Sequence, residues 1–532
     1  MGIYLNPNNI GFKEAVASEI YVDKTGLIEY TNKVFGTQQK YLCVSRPRRF
    51  GKTMAASMLT AYYSCGCDSR ELFRGLQIEK AESFKEHLNQ HDLIFLNIQK
   101  FLSRVEKPED LVLYLQERVL EELYENYPFL TEKEKCKPVE KKTRKLAGIL
   151  EEIYKITGNQ FVFIIDEWDC IFREEQHDTK AQTEYLDFLR DLLKDAEYAK
   201  LTYMTGILPI KKYGSHSALN MFMEFSMTNP KGLAEYVGFT EVEVRNLCAE
   251  FGMDFGETKQ WYDGYQFRKA PHVYSPKSVV DAMLNQEFDN YWTQTETYEA
   301  LRIYIDMNFD GLKDSIVRML SGERCRINTN TFANDMTSLK TRDDVLTLLI
   351  HLGYLAYDMW EKEVFIPNAE ISSEFVNAIE GAGWNAVIKA IRTSEMLLEA
   401  TWKKDADAVA EGIDASHLET SVLTYNNENS LSCTITLAYY SARIYYDIFR
   451  EMPTGEGFAD IVFLPKINHS DKPAMIIELK WNKSAKGAIN QMKEKRYIKN
   501  LESYSGNLLL VGINYNIKTK RHECVIESVE KN

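Results

Sequence analysis

Residues 41–63, YLCVSRPRRFGKTMAASMLTAYY, contain a strand, a loop and a helix that together decide the fold of the first part of the chain. The run YLCVS (41–45) is apolar without strict alternation, which is typical of a strand buried on both faces of a parallel sheet. A basic loop follows and ends in Gly51, Lys52 and Thr53, after which a helical pattern begins. This order predicts a phosphate-binding loop, because the free N–H groups and the dipole of a helix N-terminus favour an anion.

The rest of this region repeats the alternation of short apolar runs and helical patterns. The further strand-like runs are 93–98, 161–165, 201–207 and 223–227. Strands that alternate with helices predict an α/β fold with a mostly parallel sheet, which we assign to residues 1–238. The phosphate-loop motif is incomplete, because Arg46 stands where the first glycine is expected. A basic turn before a helix, without a ligand, is therefore the alternative interpretation of the loop alone.

A second motif supports the phosphate loop. The run FVFIIDEWD (161–169) is an apolar strand that ends in Asp166 and Glu167. Acids at the carboxyl end of a buried strand lie where open α/β sheets place their ligands. We expect Asp166, with the Thr53 hydroxyl, to hold Mg²⁺. Glu167 would polarise a water that attacks the γ-phosphate of a nucleoside triphosphate.

The next strand offers Thr205 near its end, either as a sensor of the γ-phosphate or as a cap of a turn. Lys211, Lys212 and Arg245 are candidate cationic fingers, and the sequence does not choose among them. The predicted nucleotide-binding residues are Arg49, Phe50, Gly51, Lys52, Thr53, Asp166 and Thr205, with Glu167 as the catalytic residue.

Four stretches carry a family resemblance: YVDKTGLIEY (21–30), SRPRRFGKT (45–53), IIDEWD (164–169) and MTGI (204–207). Over residues 3–235 they resemble the AAA-ATPase-like domain of bacterial proteins. That family uses RPRRFGK followed by Ser or Thr, so the missing glycine is expected, whereas Trp168 replaces the usual tyrosine of DEYD. The resemblance implies ATP binding and Mg²⁺-dependent hydrolysis, with residues 21–24 beside the nucleotide. Self-association through this domain is a further hypothesis.

Residues 239–400 show few strand patterns, and we expect a mainly helical lid or winged-helix-like module. Thr240 precedes a helical pattern that ends before Gly252, and residues 342–365 predict a helix, a turn at Gly353 and a hairpin. No chemistry can be inferred for this module.

A second chemical motif lies in residues 401–532. The runs GFADIVFLP (457–465) and AMIIELKW (474–481) predict a hairpin that carries Asp460, Glu478 and Lys480. Glu478 and Lys480 are two residues apart and share one face of their strand, which Asp460 can approach if the hairpin pairs. Two carboxylates suit Mg²⁺, and the lysine could orient or deprotonate a water and neutralise developing charge. A surface ion pair is the alternative.

The order of helix, strand, hairpin, helix and strand in this region predicts the αβββαβ core of PD-(D/E)XK nucleases. Residues 478–499 contain seven Lys or Arg and two acids, so we expect a local cationic surface for phosphates.

Further stretches of this region resemble the PD-(D/E)XK nuclease domain that is fused to the AAA-ATPase-like domain: REMPTGEGFAD (450–460), PAMIIELKW (473–481) and AINQMKEKRY (488–497). The resemblance covers residues 415–527. It implies that Glu451, Gln491 and Tyr497 lie near the site, with Glu428 as a candidate additional acid. The superfamily also includes binding modules that have lost catalysis.

Composition places limits on the class of protein. At about 150 residues per domain, 532 residues predict roughly three to four domains. A net charge of −14 excludes a globally basic nucleic-acid binder but not a local basic groove. The absence of a signal sequence, a long apolar run or a cysteine framework predicts a cytoplasmic location without membrane contact.

These features lead to one main functional hypothesis, ATP hydrolysis coupled to cleavage or processing of DNA, with defence against foreign DNA as a suggestion for the biological role. The alternatives are an ATP-dependent switch whose nuclease-fold domain only binds nucleic acid, and a nucleotide hydrolase that acts on a protein partner.

Overall fold

A computed structural model of the chain describes residues 2–130, 145–210, 219–268, 270–292, 298–307, 309–334, 336, 339–381, 384–419, 428–454, 457–466, 469–495, 497 and 507–529. The chain groups into two compact units. The first comprises Met1–Thr295 and Arg326–Ile371, and the second comprises Glu296–Cys325 and Ser372–Asn532. The domain boundaries that we predict near residues 238 and 400 stay predictions.

The first unit is built around a sheet in which five described strands run parallel, in the order β2-β3-β4-β1-β5. These strands are β1 (Tyr41–Ser45), β2 (Asp92–Asn97), β3 (Phe161–Asp166), β4 (Ala199–Gly206) and β5 (Met223–Phe225). Every residue of β1 and β3 is buried, as their continuous apolar sequence predicts for strands covered on both faces. The expected α/β class and parallel sheet are confirmed.

Helices precede the first strand of this sheet and connect β1 to β2, β2 to β3 and β3 to β4. They are α1 (Ile10–Val16), α2 (Gly26–Val34), α3 (Lys52–Tyr63), α4 (Phe84–His87), α5 (Ile98–Leu102), α6 (Leu111–Asn126), α7 (Leu146–Thr157), α8 (Cys170–Glu174) and α9 (Thr179–Leu193). Helix α6 packs against the sheet through apolar residues that recur every four positions. These residues are fully buried in the core: Leu111, Leu115, Val119 and Leu123.

The remainder of the first unit is mainly helical, as expected. Its elements before residue 295 are β6 (Phe239–Thr240), α10 (Glu241–Phe251), α11 (Phe255–Tyr262), β7 (Val273–Tyr274) and α12 (Pro276–Asn285). Residues 326–371 of the same unit add α15 (Arg342–Leu352), β9 (Ala356–Asp358) and β10 (Glu363–Phe365). Thr240 and Glu243 form a capping box, and Gly252 ends α10 in the left-handed conformation. The predicted helix, turn at Gly353 and hairpin are present as α15, β9 and β10.

The second unit contains a mixed sheet with the strand order β11-β12-β13-β14-β15 among the described residues. The strands are β11 (Tyr446–Thr454), β12 (Gly457–Pro465), β13 (Ala474–Trp481), β14 (Leu508–Asn516) and β15 (Arg521–Val529). Strands β13 and β14 are parallel and the other neighbours are antiparallel. Apolar clusters lie on both faces. The predicted αβββαβ core is confirmed, and β15 extends it.

The helices of the second unit precede and interrupt this sheet. They are α13 (Tyr298–Asp306), α14 (Leu312–Leu320), α17 (Asn385–Trp402), α18 (Ala406–Glu419), α19 (Glu428–Ala438), α20 (Ala442–Tyr445) and α21 (Ala485–Glu494). Two elements span the unit boundaries, β8 (Cys325–Arg326) and α16 (Ala369–Gly381). None of the helices in the described residues combines the length and the apolar composition that a membrane span requires.

Candidate functional site

The predicted phosphate loop joins the end of β1 to the first turn of α3. Gly51 caps the helix with a φ of 88°, in the left-handed region. A Cβ at this position would meet no atom within 4 Å, so glycine is required there by backbone conformation rather than by space. The turn leaves the first N–H groups of α3 directed to the same side as the carboxyl ends of the strands, where they can receive an anion.

A cavity of about 760 Å³ opens at this helix N-terminus. The loop residues Arg48 to Thr53 and Glu167 form one side of it, and apolar and basic residues form the rest. The lining residues outside the loop include Tyr21, Val22, Lys24, Phe239, Lys277 and Val280. A polar, cationic end and an apolar end in one cavity suit a ligand with a phosphate chain and a flat apolar group.

Asp166 stands at the centre of a hydrogen-bond cluster at the edge of the sheet. Its Oδ2 accepts from Thr53 Oγ1 at 3.0 Å and from Asn97 Nδ2 at 3.1 Å, and its Oδ1 accepts from Thr205 Oγ1 at 2.5 Å. Asn97 pairs with Asp166 in the parallel register of β2 and β3. The sequence predicted Thr53, Asp166 and Thr205 as parts of one site, and the fold brings all three into contact.

Glu167 lies between two cations. Its Oε1 is 3.9 Å from Lys52 Nζ, and its Oε2 accepts from Arg173 Nη2 at 2.6 Å. Burial raises the pKa of Glu167, although both cations oppose that shift. Lys52 is buried too, its Nζ donates to the carbonyl of Pro47 at 2.9 Å, and burial lowers its pKa. Both side chains line the cavity, and burial opposes the charged form of each.

Arg173 is a residue of this site that the sequence motifs did not reveal. It projects from α8, is 6% exposed, and bridges Glu167 to Asp169, whose Oδ2 accepts from Arg173 Nε at 3.1 Å. The same Asp169 oxygen accepts from the N–H groups of Ile207 and Leu208, just beyond β4. Arg173 thus links the acidic strand end to the strand end that carries Thr205. The pattern of an acid followed six residues later by arginine is too common to single it out.

Arg46, at the position of the missing glycine, does not line the cavity. Its buried guanidinium donates to the carbonyls of Ser45 and Phe225 and lies 5.0 Å from the ring of Phe267. Its side chain is fully buried, so Arg46 is not among the cations that can contact a ligand in this cavity. Among the candidate fingers, Arg245 is exposed and pairs with Glu241, while residues 211 and 212 lie outside the described residues.

The second site lies where β12 and β13 part. The ladder between them runs from Phe463 and Met475 to Ile461 and Ile477. One step further Asp460 and Glu478 come opposite each other, and there Asp460 Oδ2 accepts from the N–H of Leu479 at 2.6 Å. The Asp460 carboxylate thus takes the place of a backbone acceptor in the ladder, and the hairpin brings Asp460 to the part of β13 that carries Glu478.

Glu478 is the buried carboxylate of this site. Its Oε1 accepts from Lys480 Nζ at 2.8 Å and from Gln491 Nε2, and Gln491 also contacts the Tyr497 hydroxyl at 3.2 Å. Its Oε2 is buried and has no hydrogen-bond partner in the described part of the chain. Burial, followed by the charge of Asp460, raises the pKa of Glu478 to about 7.

The positions of the further acids differ. Glu451 is exposed on β11, between the residues that pair with Ile461 and Ala459, so it lies opposite Asp460 with a φ of 48°. Glu428 begins α19, but its side chain lies outside the described residues.

The basic residues of the predicted cationic surface, residues 478–499, do not all face solvent without a partner. Lys480 contacts Glu478, Lys493 pairs with Glu527, and residues 496 and 499 lie outside the described residues.

A third cluster of ligand-type side chains lies in the first unit, outside both sites. Glu241, Asp263 and His272 place ligand atoms within 4.8 Å of one another. However, the Glu241 carboxylate already accepts from Lys259 at 2.7 Å and from Arg245 at 3.0 Å. Two resident cations at one carboxylate disfavour a metal ion, so we interpret the cluster as an ion-pair network.

Two family models match separate parts of the chain. The predicted AAA-ATPase model matches residues 12–215, and the PD-(D/E)XK nuclease superfamily model matches residues 426–524. No curated protein matches the chain. Among solved structures, a similar one is the ORC2 protein of Aeropyrum pernix, determined as ADPNP–ADP complexes. The match covers 69% of this chain and 98% of that chain at 12% identity, with a TM-score of 0.31, too low to support any inference.

The two matches coincide with the two sites described above, since the phosphate loop and the acidic strand end fall within residues 12–215 and the acid–lysine hairpin falls within residues 426–524. The chain therefore contains an AAA-ATPase-like domain and, further along, a domain of the PD-(D/E)XK nuclease superfamily.

Proposed function

We propose that the first unit binds and hydrolyses ATP at the cavity beside Gly51. The observation that carries this proposal is the contact of Thr53, from the helix after the loop, with Asp166, from the end of β3. In this proposal the N–H groups of the loop and Lys52 bind the phosphates, and Glu167 orients the attacking water. Thr205 contacts Asp166 and so lies where it can respond to the γ-phosphate.

The donor set at this site fits Mg²⁺. The Thr53 hydroxyl and the Asp166 carboxylate are hard oxygen ligands on adjoining elements, and a divalent ion bound there would neutralise charge on the phosphates. The chain's own residues do the rest: the loop positions the phosphate chain, and Glu167 accepts a proton from the water.

Site-directed variants test the ATPase proposal. We expect Lys52→Ala and Glu167→Gln each to lower ATP turnover by about 10²-fold or more, because they remove phosphate stabilisation and the general base. Lys33→Ala, which alters an exposed ion pair with Glu29, is the matched control and should leave turnover unchanged. Phosphate release by the purified full chain is the measurement. Unchanged turnover in Lys52→Ala would contradict the proposal.

We also propose that the second unit cleaves a phosphodiester bond of nucleic acid, with DNA as the expected substrate. The carrying observation is the buried Glu478 oxygen without a donor, beside Asp460 and Lys480. Two carboxylates and an unsatisfied oxygen fit a hard divalent cation such as Mg²⁺, which would supply charge neutralisation at the scissile phosphate and activate water. Lys480 holds the Glu478 carboxylate and can orient that water.

Cleavage assays test this second proposal. The wild type should cut plasmid or single-stranded DNA when Mg²⁺ is added, and Asp460→Ala and Lys480→Ala should each reduce the rate by about 10²-fold or more. Lys493→Ala, in the exposed pair with Glu527, is a control on the neighbouring helix. If the wild type binds nucleic acid but cuts none under any metal or nucleotide condition, the alternative of a binding-only module or of a protein partner replaces the nuclease proposal.

Coupling between the two activities, self-association through the ATPase domain and a cytoplasmic location complete the proposal. The cysteines in the described residues are all free thiols, which suits a reducing compartment. Measuring oligomeric mass with and without ATP tests self-association. Stimulation of DNA cleavage by ATP, but not by a non-hydrolysable analogue, tests coupling through hydrolysis.

A further inference from the structure

The turn between β14 and β15 is tied to the start of α21 by hydrogen bonds. The N–H of Asn482 donates to the carbonyl of Tyr515 at 2.8 Å, and the N–H of Ile517 donates to Asn482 Oδ1 at 2.8 Å. The N–H of Lys483 donates to Asn514 Oδ1 at 2.9 Å. These bonds join two segments that lie more than thirty residues apart in sequence into one continuous surface.

Basic side chains dominate this surface. Residues 482–486 and 516–523 contain five cations against a single acid, Glu523, and one further acid, Asp414 of α18, contacts His522. We define the hairpin basic surface as Lys483, Lys486, Lys518, Lys520 and Arg521. All five are exposed, and none has an ion-pair partner in the part of the chain that the structure describes. This contrasts with Lys493 on the same helix, which pairs with Glu527. Five exposed cations on one surface create a positive potential that favours an anionic ligand.

The placement of two of these lysines strengthens the positive potential. Lys483 and Lys486 flank Ser484, which caps the N-terminus of α21 by accepting from the N–H of Gly487 at 3.1 Å. Cations in the first turn oppose the helix dipole, so they carry an electrostatic cost in the absence of an anion. The cost is offset when a negatively charged group lies against this end of the helix.

The hairpin basic surface continues directly from the site of Glu478. Strands β13 and β14 are parallel, and Glu478 pairs with Gly512 while Lys480 pairs with Asn514. The basic turn therefore begins four residues beyond Glu478 along the strand direction. At the rise of a strand this is roughly 13 Å, which equals about four nucleotides of axial rise along one DNA strand.

We infer that the hairpin basic surface binds the phosphate backbone of the nucleic acid whose scissile bond enters the site of Asp460 and Glu478. The inference rests on the proposed nuclease function and specifies which residues position the substrate. These cations contact phosphates and read no base, so they contribute affinity and orientation without sequence preference. A surface of anionic lipid offers the same phosphate chemistry, but the continuity with the acid–lysine site favours nucleic acid.

Fluorescence anisotropy of a short labelled DNA duplex with the full chain, without divalent metal and across a range of NaCl concentrations, tests the inference. The variant is Lys518→Gln/Lys520→Gln/Arg521→Gln. We expect its dissociation constant to rise about tenfold or more at low salt, and the slope of log K against log salt to shrink by about one per cation removed. Lys80→Gln/Lys85→Gln, two exposed lysines of the first unit, is the charge control and should bind as the wild type does.

The outcomes separate this inference from the proposed cleavage. Loss of binding in the triple variant supports the surface even if the wild type cuts nothing, in which case only the nuclease proposal fails. Equal affinity and equal salt slope in wild type and triple variant overturn the inference even if the wild type cleaves DNA. Binding of the wild type to anionic phospholipid vesicles, with none to DNA or RNA, would overturn it as well.

Discussion

The two candidate sites both place carboxylates at strand ends, but they balance the negative charge in opposite ways. In the first unit Asp166 accepts three hydrogen bonds, and Glu167 lies between Lys52 and Arg173. In the second unit Glu478 contacts one lysine, is opposed by Asp460, and keeps one oxygen without a donor among the described residues.

The carboxylates of the first site therefore have more donors and cations among their own neighbours than Glu478 has. Donors and cations that are already in place suit the nucleotide that we propose for the first site. The divalent cation that we propose for the second site would neutralise its two carboxylates. Removing a charged side chain should therefore be costly at the first site, whereas at the second site the cost should depend on pH.

The largest expected effect on stability comes from removing the guanidinium of Arg173 at the first site. Arg173→Ala leaves Asp169 and Glu167 buried without their guanidinium partner, so we expect a loss of about 3–5 kcal/mol in the free energy of unfolding. Arg173→Lys should restore part of it, because the charge is kept but not the two-point contact. Chemical denaturation followed by fluorescence measures this. An unchanged unfolding midpoint in Arg173→Ala would show that the first site is not held by this bridge.

The second largest effect that we expect is a stabilisation of the second unit by a divalent metal ion. Adding Mg²⁺ without nucleotide should raise the unfolding temperature of the second unit, because we expect the ion to bind the folded carboxylate pair. At a Mg²⁺ concentration 100 times the dissociation constant, the free energy of unfolding should rise by about 2.7 kcal/mol. Asp460→Asn should remove the effect. Thermal denaturation with and without Mg²⁺ is the measurement. An equal shift in wild type and Asp460→Asn would place the metal elsewhere.

The pH dependence of Glu478 sharpens the same contrast. Its pKa of about 7 in the folded protein lies above its ordinary value of 4.5, so the folded state holds the proton more tightly, and stability is lost as pH rises from about 4.5 through 7. Glu478→Gln should therefore abolish this loss, so the stability of the variant relative to the wild type should increase between about pH 4.5 and pH 8. Denaturation of both proteins at several pH values tests this. A difference in stability that stays constant over this pH range would contradict the prediction.

The smallest effect concerns Asn97, one of three donors to Asp166. Asn97→Ala removes a single hydrogen bond to Asp166, which contributes about 1 kcal/mol of interaction free energy. We expect this loss to change ATP turnover, or the Mg²⁺ concentration that turnover requires, by several-fold. Asn97→Asp should be worse, because it places a second carboxylate against Asp166. Steady-state kinetics at varied Mg²⁺ measures both, and equal turnover in Asn97→Asp and wild type would remove Asn97 from the site.

Much of the fold could be predicted because hydrophobic pattern and strand burial are directly linked. The strand over residues 41–45 was predicted with the bounds that the structure has, and Thr240, Gly252 and Gly353 mark helix ends as expected. Residues 296–325 were not predicted to pack with the second unit. That packing depends on tertiary contacts such as Arg450 with Glu323, which no local pattern reveals.

The site was predictable where a motif combines several residues at fixed spacing, as in Gly51 to Thr53 or Glu478 with Lys480. It was not predictable where a single side chain reaches from another element. Arg173 and Asn97 belong to that class, since their roles depend on helix position and on sheet register. Arg46 is a further case, because the sequence of the basic loop does not indicate which of its cations face a ligand, and the Arg46 side chain is buried.

One experiment tests the central claim, that the chain combines two separate chemistries, most directly. ATP turnover and Mg²⁺-dependent DNA cleavage are measured side by side in the wild type, Lys52→Ala and Lys480→Ala. We expect Lys480→Ala to lose cleavage and keep ATP turnover, and Lys52→Ala to lose ATP turnover and any stimulation of cleavage by ATP. Cleavage that persists in Lys480→Ala, or ATP turnover that persists in Lys52→Ala, would contradict the claim.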